Sequence, residues 1–580
     1  MTKIQRIVSI VIAPYLLLVL LDRFVLVELL VTRVGLSVLL ALFEAFAILG
    51  ASFAMRAAIA RDWRTDGADL PRDFLLGYPI FGALCFLIGT LNISSWSMSI
   101  VLVVFGVGGI YLFVRRFESR PPVMPAITEP LVLIALAIVF ICALIAAQAP
   151  PSSLDELAYH LAVPWTWVKE HRAIDLPLIS HSYFPLGIES ADLPLLTILG
   201  QLGGGIASHL LHLGAALAAT AMLFRLSRGN ALALAAIVTT PALALIAGWS
   251  LVDWPLIGIC AILVLALDAD DVPTISIAIA AGLLTKYTFV PFAIIAVVVA
   301  RRWRGLLPGI AIGSIFFIRN LILTANPIAP FFSAGAPHVA GYRARFLSDY
   351  VFDGHFLDEG LAASLIAACT LSAGMLPWIL IGAAVLLFLL APSSRILLPF
   401  LAIPAAMSRP PRRLMRVLLG LSIVVQLFLI GYFVDRSGTF SLLSAAASDT
   451  EFLTKQRTSY KTVQSIDALL PADARALVIG LNETFWFARR VRGGGNFDGP
   501  RVSRYLEMPT AEALYARLKD DGITHVAVVA PAPSTTAVAQ KLAERETALS
   551  PTAQRMLAQT LDRYASNVAP GAGATVFTLR

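Results

Sequence analysis

The sequence predicts an α-helical polytopic membrane protein of roughly a dozen transmembrane helices, followed by a small C-terminal α/β domain. Three observations predict it. Of 580 residues 58% are hydrophobic and only 14% charged, with a mean hydropathy of +0.80; soluble chains carry about 25% charged residues. Apolar runs near the ~20 residues that a bilayer requires recur up to residue 434. At residue 437 the composition turns polar, and strand-like and helix-like patterns begin to alternate.

The net charge of +7 does not point to nucleic acid, because the basic residues cluster between apolar runs, as they do in cytoplasmic loops of membrane proteins. Cys85, Cys142, Cys260 and Cys369 all lie in apolar segments without metal-ligand spacing, which argues against a disulfide framework and a zinc site. The opening "MTKIQRIVSIVIAPYLLLVLL" has a basic start but no small-residue cleavage site, and reads as a retained first helix.

Helices are expected over about 7–30, 34–55, 73–92, 96–114 and 127–148. Lys3 and Arg6 precede the first; Arg56, Arg61, Arg64 and Arg72 follow the second; Arg115, Arg116 and Arg120 follow the fourth. The bias places the N-terminus in the cytoplasm and the exit of the fifth helix outside, in an inner (plasma) membrane. Residues 149–204, polar and broken by prolines, then read as an outer loop with short interfacial helices. Further spans are expected over about 205–226, 231–249 and 250–267. Two short crossings meeting at "TKYT" lead back to Arg301, Arg302 and Arg304 inside, with a re-entrant loop as the alternative. Residues 307–322 exit to a second outer loop, 323–360; "SRPPRRLMR" returns inside, and 417–434 is the last exit. The chain thus divides into N-terminal helices (1–126), a membrane module (127–436) and an extracytoplasmic α/β domain (437–580).

In that last domain "ALVIGLNE", "THVAVVAPA" and "ATVFTLR" read as buried strands, and "TAEALYARLKDDG" as an amphipathic helix with a glycine stop. "GGGN" at 493–496 is not expected to follow a strand directly, as the dinucleotide fingerprint requires, so it is read as a flexible turn and not as a nucleotide loop.

The chemistry concentrates in "SSLDELAYHLAVPW", 152–165. At helical spacing Leu154, Leu157, Ala158 and Leu161 form an apolar stripe, while Asp155 with Tyr159 and Glu156 with His160 project from the other side. A capping box of Ser153 with Glu156 accounts for Glu156 on structural grounds alone. It leaves Asp155 and His160 to be explained. Lys286 in "LLTKYTFVPF" and Arg319 in "FFIRNLIL" lie in apolar runs on the outer side, against the inward bias of basic residues. Either they snorkel to the interface, or they hold an anion such as a lipid phosphate.

Taken in order, "LDELAYHLAVPWTWVKEHR", "YFPLGIES", "LVDWPL", "AGLLTKYTFVPF" and "RNLILTANPIAPFF" resemble the GT-C superfamily of membrane glycosyltransferases. The nearest groups are the bacterial dolichyl-phosphate-mannose mannosyltransferase-like and lipid A aminoarabinose transferase-like proteins. The resemblance covers about residues 127–335 and the layout with an outer C-terminal domain. Four helices precede the one that comes first in that family.

The resemblance implies sugar transfer from a polyprenyl-phosphate donor to a glycan, lipid or protein acceptor in cell-envelope synthesis. It implies Asp155 as catalytic base, with Glu156, Tyr159, His160, Tyr183, Lys286, Tyr287, Arg319 and Asn320 as substrate-binding residues. Some relatives use a divalent metal ion, for which Asp155, Glu156 and His160 are the available ligands. The competing readings are a transporter of a lipid-linked or anionic substrate and a scaffold that binds through its C-terminal domain. A transporter would place charges near the midplane between repeats; here they gather in outer loops, and no repeat is visible.

Overall fold

The computed structural model describes residues 34–60, 69–119, 129–228, 230–331, 375–390, 394–409, 413–444, 446–494, 498–529 and 549–580. The expected helix 7–30, most of the second outer loop and Cys369 lie outside them.

The chain is a polytopic helical membrane protein with a small C-terminal α/β domain. Among the described residues six helices are long and apolar enough to cross a membrane: Gly35–Ile59, Leu70–Gly89, Ser95–Arg115, Pro130–Ala147, Leu193–Leu226 and Arg416–Arg436. A seventh crossing is made if Leu306–Gly313 and Ile315–Thr324, bent by 50°, count as one span. Four shorter apolar helices complete the set. Among the described residues the expected spans are thus a mixture of long, bent and short helices, the short pair around "TKYT" included.

Proline and glycine account for the differences. The expected span 231–249 is two helices, Ala231–Val238 and Pro241–Ile246, because Pro241 has no amide to continue the first. The helix expected from 205 begins at Leu193, with Pro194 in its first turn, and bends at Gly200, where φ is 70°. The first outer loop therefore ends at Asp192. "TKYT" does separate two short helices, Val272–Thr285 and Phe289–Ala300.

That first loop lies embedded in the helices, not over them. Its helix Gly187–Ala191 is buried against Leu70–Gly89 and Val272–Thr285. The approach depends on two missing side chains: a Cβ at Gly82 would stand 1.6 Å from the Gly187 carbonyl, and one at Gly187 2.6 Å from that of Leu284. This contact fixes the position of Glu189.

The C-terminal domain is a five-stranded sheet: β1 Arg475–Ile479, β2 Arg490–Arg492, β3 His525–Val529, β4 Ala565–Gly571 and β5 Ala574–Leu579, in the order β2-β1-β3-β5-β4. β2, β1 and β3 are parallel; β5 is antiparallel to both neighbours. The three strands read from sequence are β1, β3 and β5, and the helix is Ala511–Asp520, capped by Thr510. Both faces of β1 are covered, Leu477 and Ile479 on one side and Ala476 and Val478 on the other, which explains its continuous apolar run. The three-residue β2 and the largely polar and small-residue β4 carry no such run, and the sequence patterns do not mark them. β2 ends directly at Gly493, so the stated reason for discounting "GGGN" fails. Packing explains its first two glycines instead: at positive φ, Gly493 and Gly494 lie where a Cβ would meet the Val478 carbonyl at 2.3 Å and the Thr484 methyl at 2.4 Å.

In a background lacking the native cysteines, single cysteines at the exposed positions Ala446 and Thr552 should react with an impermeant thiol reagent in intact cells. One at exposed Ala269, in a turn assigned to the cytoplasm, should be protected. The opposite labelling pattern would invert the topology.

Candidate active site

Asp155 stands at the N-terminus of a π-helical turn, Glu156–His160, in which the Leu161 amide donates to the Glu156 carbonyl at 3.0 Å. Single π-turns inside helices are uncommon and concentrate at functional sites. The five-residue spacing overturns the expected division into a polar and an apolar face. Glu156, Leu157, Ala158, Tyr159 and His160 are all buried, and Asp155 is half-buried.

Glu156 is held from three directions. One oxygen accepts the Ser153 amide (3.0 Å); the other accepts the Ser250 amide (2.6 Å) and lies 2.8 Å from His209 Nε2. The Glu156-to-Ser153 half of the expected capping box is therefore present, within a larger network. Burial alone would raise the pKa of this carboxylate, but His209 and the two amides outweigh it and hold the value below the ordinary one. Both Glu156 oxygens are thus occupied by protein partners.

His160 Nδ1 lies 2.8 Å from Glu189 Oε1, both buried. Burial, reinforced by the negative charge of Asp192, pushes Glu189 up to about 8. At neutral pH the pair is better described as a hydrogen bond that orients the imidazole than as two full charges.

A run of rings links this turn to the second motif. Tyr159 stacks on His181 (centroids 4.4 Å apart), His181 meets Phe184 at 4.8 Å, and Phe184 meets Tyr287 at 5.7 Å. The Tyr287 hydroxyl is within hydrogen-bond distance of the Tyr183 and Ala329 carbonyls (3.0 and 2.8 Å), and Asn320 Nδ2 donates to it and to the Tyr183 carbonyl (2.9 and 2.6 Å). Arg319 Nη1 donates to the Ser182 carbonyl at 2.7 Å, and its guanidinium faces the Tyr183 and Phe86 rings at 5.6 and 5.8 Å. Its other terminal nitrogen, Nη2, is buried and has no hydrogen-bond partner among the described residues. Tyr183 in turn donates its hydroxyl to Asp175 at 2.8 Å.

Lys286 is not the isolated cation read from the sequence. Its Nζ is 3.0 Å from Asp253 Oδ1, and the Asp253 carboxylate is fully buried. The apolar surroundings that make a lone ammonium costly are met by this pairing. Nor do Asp155, Glu156 and His160 converge as metal ligands: Glu156 turns to His209 and His160 to Glu189. Among the described residues no group of three or more histidine, cysteine, aspartate or glutamate side chains is arranged to hold a metal ion.

The structure brings Tyr159, Tyr183, Tyr287, Arg319 and Asn320 into one connected cluster; Asp155 and His160 share the π-turn of Tyr159, and Glu156 and Lys286 are taken up by His209 and Asp253. Sequence reasoning missed Glu189, Asp253, His209 and Ser250. The first two lie inside quoted motifs as acids in apolar surroundings, a signal that was available. His209, within "ASHLLHLG", carries no such mark, because its meaning depends on a partner 53 residues away.

No protein-family model and no curated protein matches this sequence. Among solved structures, ArnT from Cupriavidus metallidurans bound to undecaprenyl phosphate aligns over 77% of this chain and 97% of its own, with 12% identity and a TM-score of 0.41.

Two carboxylates should respond oppositely to pH. Glu189 retains an extra proton in the folded state between the ordinary 4.5 and about 8, so its contribution to stability falls as pH rises through that window. In detergent, the Glu189→Gln variant should lose less thermal stability than the native chain between pH 5 and 8.5. Equal slopes would reject the protonated assignment. Glu156, with a depressed value, stabilises above the ordinary carboxylate range and loses that effect on acidification. Removing its partner with His209→Ala should cost on the order of 3 kcal/mol at pH 7, read as a lowered thermal midpoint.

Proposed function

We propose that this chain is a GT-C-type membrane glycosyltransferase that moves a sugar from a polyprenyl phosphate to an acceptor hydroxyl on the extracytoplasmic side. The observation that carries the reading is a half-buried acid, Asp155, on a π-turn whose Tyr159 is linked, through packed rings and then hydrogen bonds to the Tyr183 and Ser182 carbonyls, to the Arg319 guanidinium, whose buried Nη2 has no hydrogen-bond partner among the described residues. A base and an anion ligand on one connected surface beside apolar helices are what transfer from a phosphate-linked lipid requires. The order of the sequence motifs supports the same class.

In this reading Arg319 takes the donor phosphate. It is part of a rigid frame, since its Nη1 is fixed on Ser182 and two rings flank its plane, leaving Nη2 for a phosphate oxygen. Lys286, neutralised by Asp253, supports the local field without being the principal ligand. Asp155 accepts the proton of the acceptor hydroxyl as its oxygen bonds to the anomeric carbon. The bond from that carbon to the phosphate oxygen breaks, the lipid phosphate leaves with the electron pair, and the anomeric centre inverts. His160, oriented by Glu189, and the rings of Tyr159 and Tyr183 line the sugar's path.

Asp155→Asn keeps the size and polarity of the side chain but not its basicity, and should lower turnover by about 10²–10⁴-fold with the protein still folded in the membrane. Near-native consumption of lipid-linked sugar by this variant would sink the base assignment, whereas no consumption by the native protein would favour the transporter reading. Arg319→Lys keeps the charge but loses the planar fork. It should raise the donor KM at least about tenfold with a smaller change in kcat; unchanged donor dependence would remove Arg319 from the phosphate site.

A further inference from the structure

The C-terminal domain is seated on the turn that carries Asp155, by a contact unlike ordinary domain packing. A π-turn displaces the helical hydrogen-bond register. The Leu161 amide, which in an α-helix would donate to the Leu157 carbonyl, donates instead to Glu156 (3.0 Å). The Leu157 carbonyl accepts two amides from the far end of the chain, Thr484 N at 2.9 Å and Phe485 N at 3.1 Å.

Those amides belong to a segment between β1 and β2 that is inserted between the turn and the helix Leu193–Leu226. The Phe485 side chain is fully buried against Leu157, Leu161, Ala162 and Leu196. Its carbonyl accepts from Gln201 Nε2 at 2.5 Å. The Phe487 carbonyl accepts from Trp165 Nε1 (3.1 Å) and Lys169 Nζ (3.0 Å), and the Trp486 indole donates to the Pro151 carbonyl at 3.2 Å. The segment is thus fixed on both sides of the turn, at Pro151 before it and at Trp165 and Lys169 after it. Gly494, which could not carry a Cβ without striking the Thr484 methyl, completes the seat.

We infer that residues 484–487 are a positioning element for the reaction: they hold the helix in its π register and thereby set the direction of His160 relative to Asp155. Without donors for Leu157, the α register recovers the lost bond. A one-residue change of register rotates the residues that follow by about 100°, which takes His160 from Glu189. The C-terminal domain is then a working part of the active site, although none of these residues touches substrate. This inference rests on the proposed glycosyl transfer for its kinetic consequence but not for its structural one.

The test removes an amide hydrogen. Thr484→Pro deletes the shorter of the two hydrogen bonds to the Leu157 carbonyl, Thr484→Ser is the conservative variant that retains it, and Gln201→Leu loosens the same segment from the opposite side. For each full-length protein two quantities are measured: hydrogen exchange of peptides covering 154–162, and kcat and donor KM with a lipid-linked sugar. Thr484→Pro should raise exchange across 154–162 and lower kcat by about 10²-fold, with donor KM changed less than about twofold. Thr484→Ser should restore both. Unchanged exchange in Thr484→Pro overturns the inference, as does a raised exchange accompanied by native kcat. If Thr484→Pro does not fold, Gln201→Leu decides, with raised exchange and a lowered kcat expected and native values in both overturning. If the native protein transfers no sugar, the proposed function fails alone, and the exchange measurement still decides whether this segment sets the register.

Discussion

The Glu156 carboxylate lies out of contact with solvent, and its oxygens are met by the amides of Ser153 and Ser250 and by the ring of His209. Those three partners come from the loop before the turn, the link before helix Asp253–Ala269, and the middle of helix Leu193–Leu226. A buried carboxylate cannot be left without such partners, since an uncompensated charge in a low-dielectric interior costs several kcal/mol. Three stretches of chain are consequently held at one point. The turn that carries Asp155 cannot move without exposing or stranding that charge, and this rigidity is what a base aimed at a transient hydroxyl needs.

The same requirement orders the charges around it. Lys286 is matched by Asp253, and His160 by Glu189. Each pair joins a loop motif to a different helix, so satisfying the charges also fixes the packing. Arg319 is the departure. One nitrogen is anchored on Ser182, two rings take the faces of its guanidinium, and a second nitrogen points into the buried cluster without a partner among the described residues. A buried donor left in this way is costly within the protein alone, a cost that the phosphate of the proposed donor would relieve.

Hydrogen bonding of the backbone extends the constraint to the end of the chain. The π-turn leaves the Leu157 carbonyl facing away from its own helix, and the amides of Thr484 and Phe485 meet it. The domain that supplies them is a mixed sheet whose parallel edge, β2, leads into Gly493 and Gly494, and these allow the inserted segment to lie close. Ion pairs of Glu170 with Arg475 and Arg492 tie the same edge to the helix Ala162–Lys169. The sheet is therefore continuous, through polar contacts, with the membrane helices.

Much of this was legible from local pattern. Apolar run length placed most of the long described helices to within about five residues, Leu193–Leu226 excepted at its start, and alternation of apolar strands with a capped amphipathic helix marked the C-terminal domain, because both signals depend only on neighbours in sequence. Asp155, His160 and Arg319 stood out as polar groups in apolar surroundings, whose cost composition alone reveals. What composition cannot reveal is the partner that meets each cost. That Glu156 turns to His209, Lys286 to Asp253 and Leu157 to Thr484 was decided by contacts spanning 53, 33 and over 300 residues. The sequence by itself determined which groups must be paired. Tertiary structure alone decided with whom, because a hydrogen bond or ion pair depends on distance in space and leaves no period along the chain.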